Sequence, residues 1–279
     1  MNGVCNEEVS VVSENVSIMM RTASCHVAIL LVLIGLSMAC KTAKAEERIT
    51  IAVASDLRFA LGEIVTMFKR THSAAQIETI YGSSGKLSTQ IRQGAPYDIF
   101  FSADIAFPRA LKADGFGYSE AQPYGVGHIV LWSQAAGAAT LTFADLTDPS
   151  IRKIAIANPE HAPYGKRAEE ALKAMGVWDG VEHKLVYGEN ATQAVQYVQS
   201  GNAQVGIVAL SLVLGPELSG QGGYVLIPDE LHQPLEQGYI ITKRAAANSL
   251  AQAFTIFFSG NEVRAILARY GFTMPVEVE

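Results

Sequence analysis

Twice along this chain, short β-branched runs alternate with helix-spaced patterns, and this strand–helix–strand order restricts the possible fold more than any other feature. Arg48 to Ala54 (RITIAVA) reads as a strand, and Leu57 to Thr71 sets Leu57, Leu61, Ile64, Val65 and Phe68 at helical spacing. Gln76 to Tyr81, Leu87 to Gln93 and Tyr97 to Ser102 continue as strand, helix and strand, and Ala106 to Ala113 is a helix closed by Asp114-Gly115. A βαβαβ opening implies an α/β fold built on parallel strands with right-handed crossovers. The pattern restarts with Lys153 to Ala157, Gly165 to Met175, Lys184 to Tyr187, Thr192 to Gln199 and Ala203 to Ala209.

Two extended apolar segments, Gly127 to Trp132 and Gly238 to Thr242, bracket that second unit. Two helical patterns, Asn248 to Phe258 and Asn261 to Tyr270, finish the chain. The economical folding returns them to the first unit. Lobe one is then 46–126 plus 239–279, lobe two is 127–238, and two linking strands form a hinge.

The segment 1–45 is of a different kind. Val27 to Cys40 (VAILLVLIGLSMAC) is uncharged and apolar, follows Arg21 and precedes Ala43-Lys44-Ala45. A spanning helix needs about 20 apolar residues, whereas a secretory signal peptide needs roughly 7 to 15 and an A-x-A site. Cleavage after Ala45 fits this pattern. Glu7, Glu8 and Glu14 do not suit a basic leader, so translation is expected to start at Met19 or Met20. The rival reading takes Ser37-Met38-Ala39-Cys40 as a lipobox, with Ser37 where Leu is usual, and gives a lipid-anchored protein. The free exported form is preferred. Cys5, Cys25 and Cys40 all precede the cleavage point, so an exported chain has no disulfide, thiolate metal site or cysteine nucleophile. With 21 basic against 27 acidic residues and no basic cluster, there is no grip for nucleic acid.

In open α/β sheets, ligands bind outside the carboxyl ends of the strands. The loops there are Ala54-Ser55-Asp56, Gly82-Ser83-Ser84-Gly85 and the run from Asn158 to Gly165 (NPEHAPYG). Hydroxyls and free N–H groups at helix starts suit a small anion. Ser55, Asp56 and Ser84 are equally ordinary N-cap types. Gly82-Ser83-Ser84-Gly85-Lys86 misses the phosphate-loop spacing, having Ile80 and Leu87 at its defining positions. Lys86 reads as a solvated helix residue. His72, His128, His161, His183 and His232 show no metal-ligand spacing, and His161, alone in a candidate loop, reads as a structural hydrogen-bonding residue.

At these residues the chain resembles the substrate-binding proteins of molybdate ABC transporters. The similarity runs through ASDL (54–57), YGSSGKL (81–87), QGAPYDIFFSAD (93–104), NPEHAPYG (158–165), GEN (188–190), GIVALS (206–211) and RYGF (269–272). The resemblance implies a bilobal periplasmic binding protein of type II that captures molybdate or tungstate and passes it to a permease in the inner membrane. It implies a periplasmic, monomeric protein that is not an enzyme and has no cofactor. Carried over residue by residue, it puts oxyanion contacts on Ser55, the N–H of Asp56, Ser84, Tyr164 and the backbone at Ala191. Molybdenum would be present only inside molybdate, held through its oxygens by Ser55, Ser84, Tyr164 and Ala191. Where some members carry a closing tyrosine this chain has Ala209, and Tyr164 is expected to supply that hydroxyl. The Asp56 carboxylate is expected to face outward, since it would repel a dianion. The alternatives are a binding protein for sulfate or phosphate and, remotely, an exported hydrolase using Ser55 or Ser84 with His161 as base.

Overall fold

The computed structural model describes residues 48–274. The expected leader, its cleavage after Ala45, the lipobox and all three cysteines lie outside the described residues. Along the chain run β1 (Arg48–Ala54), α1 (Arg58–Phe68), β2 (Gln76–Gly82), α2 (Ser84–Arg92), β3 (Ile99–Ser102), α3 (Ala106–Ala113) and β4 (Gln122–Gly127). Then come β5 (Ile129–Ser133), β6 (Ile154–Ala157), α4 (Pro163–Ala174), α5 (Trp178–Val181), β7 (Leu185–Gly188), α6 (Ala191–Gln199), β8 (Val205–Ala209) and α7 (Leu210–Val213). Finally there are β9 (Gly223–Leu226), β10 (Leu235–Ile241), α8 (Ser249–Phe258) and α9 (Asn261–Arg269).

The strands form two five-stranded sheets, ordered β2-β1-β3-β10-β4 and β7-β6-β8-β5-β9. In each, three strands are parallel and the last two are added antiparallel: β10 and β4 in the first, β5 and β9 in the second. The sheets are therefore mixed rather than wholly parallel. They also share one layout, although the sequence carries no visible internal repeat.

The crossings between sheets are sharper than the apolar runs suggest. Gly127 pairs with Leu235 in the first sheet, and Ile129 pairs with Ala209 in the second, so only His128 separates the two. The return falls between β9 and β10. The division expected at 238/239 runs through β10, all of which is hydrogen-bonded in the first sheet.

Each sheet has its own core. Ile51, Val53, Leu61, Ile64 and Phe101 pack with Leu250, Phe254, Phe258 and Ile266, which brings α8 and α9 back onto the first sheet. Phe101 is central there, with its ring centroid 4.6 Å from Phe258 and 5.2 Å from Tyr239. Asn248 caps α8 through its Oδ1, and its Nδ2 donates to the carbonyl of Arg48 at 3.0 Å, tying the last helices to the first strand. The second core gathers Val130, Trp132, Ile156, Leu172, Val195 and Ile207. Among the described residues, no helix is long and apolar enough to cross a membrane.

Candidate functional site

The loops that leave β1, β2, β6 and β7 carry the expected residues, and all five are buried. Ser55 opens a 3-10 turn, Ser55–Leu57, and its Oγ accepts the N–H of Thr192 from the first turn of α6 at 3.2 Å. Ser84 is the first residue of α2, and its Oγ accepts the N–H of Ala103 at 3.0 Å. Neither helix start has a side-chain cap bond, so Ser55, Asp56 and Ser84 are not N-caps. An accepting hydroxyl still has its own proton to donate, and an O–H whose oxygen already accepts an N–H is the better donor for it. Ala191 begins α6, where Asn190 caps the helix by accepting from the N–H of Gln193 at 3.1 Å. The N–H of Ala191 has no protein acceptor among the described residues. A helix start with a free N–H is favourable for an anion.

Tyr164 lies in the first turn of α4, after Pro163 at the helix start. Its hydroxyl accepts from Gln237 Nε2 at 2.9 Å, and the same nitrogen donates to Asp56 Oδ2 at 2.9 Å. The hydroxyl of Tyr124 donates to Gln237 Oε1. Asp56 therefore faces inward, against the expectation. Its residue is 2% exposed, its carboxyl joins a chain of Tyr124, Gln237 and Tyr164, and Oδ1 has no hydrogen-bond partner among the described residues. The expected repulsion applies to a charged group, whereas burial drives this carboxyl toward neutrality. Burial raises its pKa to about 7, offset in part by the Gln237 amide, the Tyr164 hydroxyl and the N–H groups of Asp56 and Leu57. Burial likewise pushes the phenols of Tyr124 and Tyr164 well up, and the charge of Asp56 adds to this.

Several contacts cross from the first lobe to the second and hold the molecule shut. Thr192 Oγ1 donates to the carbonyl of Ser55 at 3.2 Å and Ser211 Oγ to the carbonyl of Asp56 at 2.8 Å. The N–H of Gly85 donates to the carbonyl of His161 at 2.9 Å. A Cβ on Gly85 would stand 2.8 Å from that oxygen, so only glycine permits the approach. His161 Nδ1 lies 2.9 Å from Ser83 Oγ, which is a structural hydrogen bond of the expected kind. Burial lowers the His161 pKa, followed by the charge of Lys86. Lys86 is not simply solvated, since its Nζ lies 3.3 Å from Glu189 across the cleft. Arg58 with Glu217, at 3.7 Å, and Arg167 with Asp104, at 3.6 Å, are further pairs between the lobes.

The hydrolase pairing is not assembled here, since His161 meets Ser83 rather than Ser55 or Ser84. Among the described residues, no group of three or more His, Cys, Asp or Glu could hold a metal ion. Ala209 is fully buried at the end of β8 and offers no hydroxyl. Gln237, Thr192 and Tyr124 were not found from the sequence. One signal was available for Gln237: it occupies the inward phase of β10 between Leu235 and Tyr239, where an amide demands partners.

Residues 49–273 match the model of the family described as bacterial extracellular solute-binding protein. The molybdate-binding protein ModA of Rhodobacter capsulatus is 34% identical over 224 residues, 79% of this chain and 86% of that protein. ModA of Azotobacter vinelandii is 32% identical over 245 residues, 87% of this chain and 96% of that protein. The solved structure of the Azotobacter vinelandii periplasmic molybdate-binding protein superposes with a TM-score of 0.77 at 30% identity, over 81% of this chain and 99% of that one.

Proposed function

Since this chain belongs to the bacterial extracellular solute-binding proteins, in their molybdate-binding branch, we propose that it captures molybdate or tungstate between its lobes for an ABC transporter permease. The observation that supports this best is the donor set. The hydroxyls of Ser55 and Ser84 both have their oxygens occupied by backbone N–H groups, and Ala191 presents a free helix-start N–H. Together with Tyr164, these would surround the oxygens of one fully deprotonated dianion. Each hydrogen bond to a charged group contributes about 1.5 to 3 kcal/mol, so four or so allow tight capture without Arg or Lys.

Elemental analysis of protein purified from molybdate-supplemented cells, followed by calorimetric titration, tests the reading. Stoichiometric molybdenum or tungsten is expected, with phosphate weaker by about a hundredfold or more, because the carboxyl beside the site, Asp56, is bonded to Gln237 and held toward neutrality by burial, which leaves the phosphate O–H no charged acceptor. Sulfate or phosphate binding in the absence of any response to molybdate and tungstate would overturn it. In the same reading the protein works as a monomer in the periplasm, and its exported form begins at Glu46. Intact mass checks that end, and a lipid on Cys40 would contradict it.

A further inference from the structure

The hydrogen-bonded chain behind the candidate site has too few protons for all its acceptors. Tyr124 donates to Gln237 Oε1, which orients the amide so that its two N–H bonds go to Asp56 Oδ2 and to the Tyr164 oxygen. That leaves Tyr164 one proton, its own, and two acceptors that could take it: the Asp56 carboxylate and the captured anion. An ionised Asp56 would claim it, because a hydrogen bond to a charged acceptor is the stronger one. The ionised form would also leave Oδ1 charged, buried and unpartnered.

Resting on the oxyanion reading above, we propose that Asp56 is a specificity-determining and positioning residue. In the closed form it holds a proton, which frees the Tyr164 hydroxyl to donate to the anion and makes capture take up that proton from solvent. The chain spans the lobes: Asp56, Tyr124 and Gln237 belong to the first, and Tyr164 comes from α4 of the second. Opening removes Tyr164 and Ser211 from Asp56 and returns the carboxyl to water, where it ionises.

The surroundings offer no competing charge. From α6 comes Thr192, from α7 Ser211, from β4 Tyr124, from α4 Tyr164 and from β10 Gln237. Arg58 of α1 is drawn to Glu217. The two tyrosines are held neutral by burial, and no cation acts on Asp56. With the buried carboxyl titrating at about 7, the closed form binds more protons than the open form below that pH. His161, whose pKa burial lowers, would release a proton on closure and thus contribute with the opposite sign.

Calorimetric titration with dilute molybdate, in two non-phosphate buffers of different ionisation enthalpy, counts the protons. Uptake approaching about one proton per anion is expected near about pH 6, with affinity about tenfold tighter there than near about pH 8. Asp56→Asn, which keeps the shape but cannot titrate, should bind with no proton uptake and without the tightening from about pH 8 to about pH 6. Molybdate binding to the wild type without proton uptake would overturn the inference alone, and so would undiminished uptake in the variant. Failure to bind molybdate or tungstate at either pH would overturn the proposed function and this inference with it. The wild-type proton count stands without the variant, should that protein fail to fold.

Discussion

Thr192 and Ser55 meet across the two lobes through a pair of hydrogen bonds, N–H to Oγ and Oγ1–H to the carbonyl, each 3.2 Å long. Thr192 lies in the first turn of α6 beside the second sheet, and Ser55 follows directly on β1 of the first. Their contact joins the two lobes directly. It turns the Ser55 oxygen into an acceptor from protein and leaves its proton for a ligand.

Ser55→Ala and Ser84→Ala should therefore each weaken molybdate binding by roughly tenfold to a hundredfold, the worth of one hydrogen bond to a charged group. For Ser55→Ala the cost falls on the closed, loaded form, so the melting temperature without ligand should change little, whereas Ser84→Ala also leaves the buried Ala103 N–H unpaired within the first lobe and should melt lower. Calorimetry and thermal melts on both variants check this. Unaltered affinity would remove that serine from the site.

Gly127 ends β4 with no room for a side chain: a Cβ there would collide with the Tyr164 hydroxyl and the Gln237 amide. Gly127→Ala should push Tyr164 out of the Asp56 chain and lower molybdate affinity by more than about tenfold, the loss of at least one charge-assisted bond. Titration should show the loss, and a crystal structure of the variant should show Tyr164 displaced.

Asp56 should also leave its mark on stability. In the closed, molybdate-loaded form its pKa is raised to about 7 from the ordinary 3.8, so that form binds the extra proton between those values. Its contribution to stability is then greatest at low pH, falls as pH rises through that window and is flat above it. Molybdate-loaded Asp56→Asn should melt higher than loaded wild type near about pH 8, with the advantage shrinking toward about pH 5. A constant difference across the range would contradict a buried neutral carboxyl.

The Lys86–Glu189 pair closes the cleft mouth but is about half exposed, at 49% and 39% for the two side chains. Exposed pairs contribute about 0 to 1 kcal/mol, so Lys86→Ala should reduce affinity by less than about fivefold. The effect should vanish in high salt. A larger, salt-insensitive loss in titrations would mean that Lys86 touches the anion.

Periodicity alone located the six parallel strands and the longer helices of both lobes, because burial of one face writes a period of two or of 3.6 into the residues, but β4, β9 and the short α5 and α7 were not read from it. It also placed Ser55, Ser84 and Tyr164 on loops at strand ends, since hydroxyls, Gly and Pro mark those turns locally. The antiparallel strands β4, β5, β9 and β10 were less legible. Their partners lie far away in sequence, and an apolar run such as Gly127 to Trp132 reads alike whether it serves one sheet or passes between two.

The sequence by itself determined an α/β chain with two units and donor-rich loops, because these follow from residue type and near-neighbour spacing. Only the tertiary structure decided that Asp56 turns inward, that Gln237 joins it to Tyr164, and that Thr192 rather than a nearby residue meets Ser55. Those pairs are separated by 181, 73 and 137 residues along the chain. The direction of a carboxyl depends on whether distant strands bring it a hydrogen-bond donor and exclude water, and no local pattern contains that information.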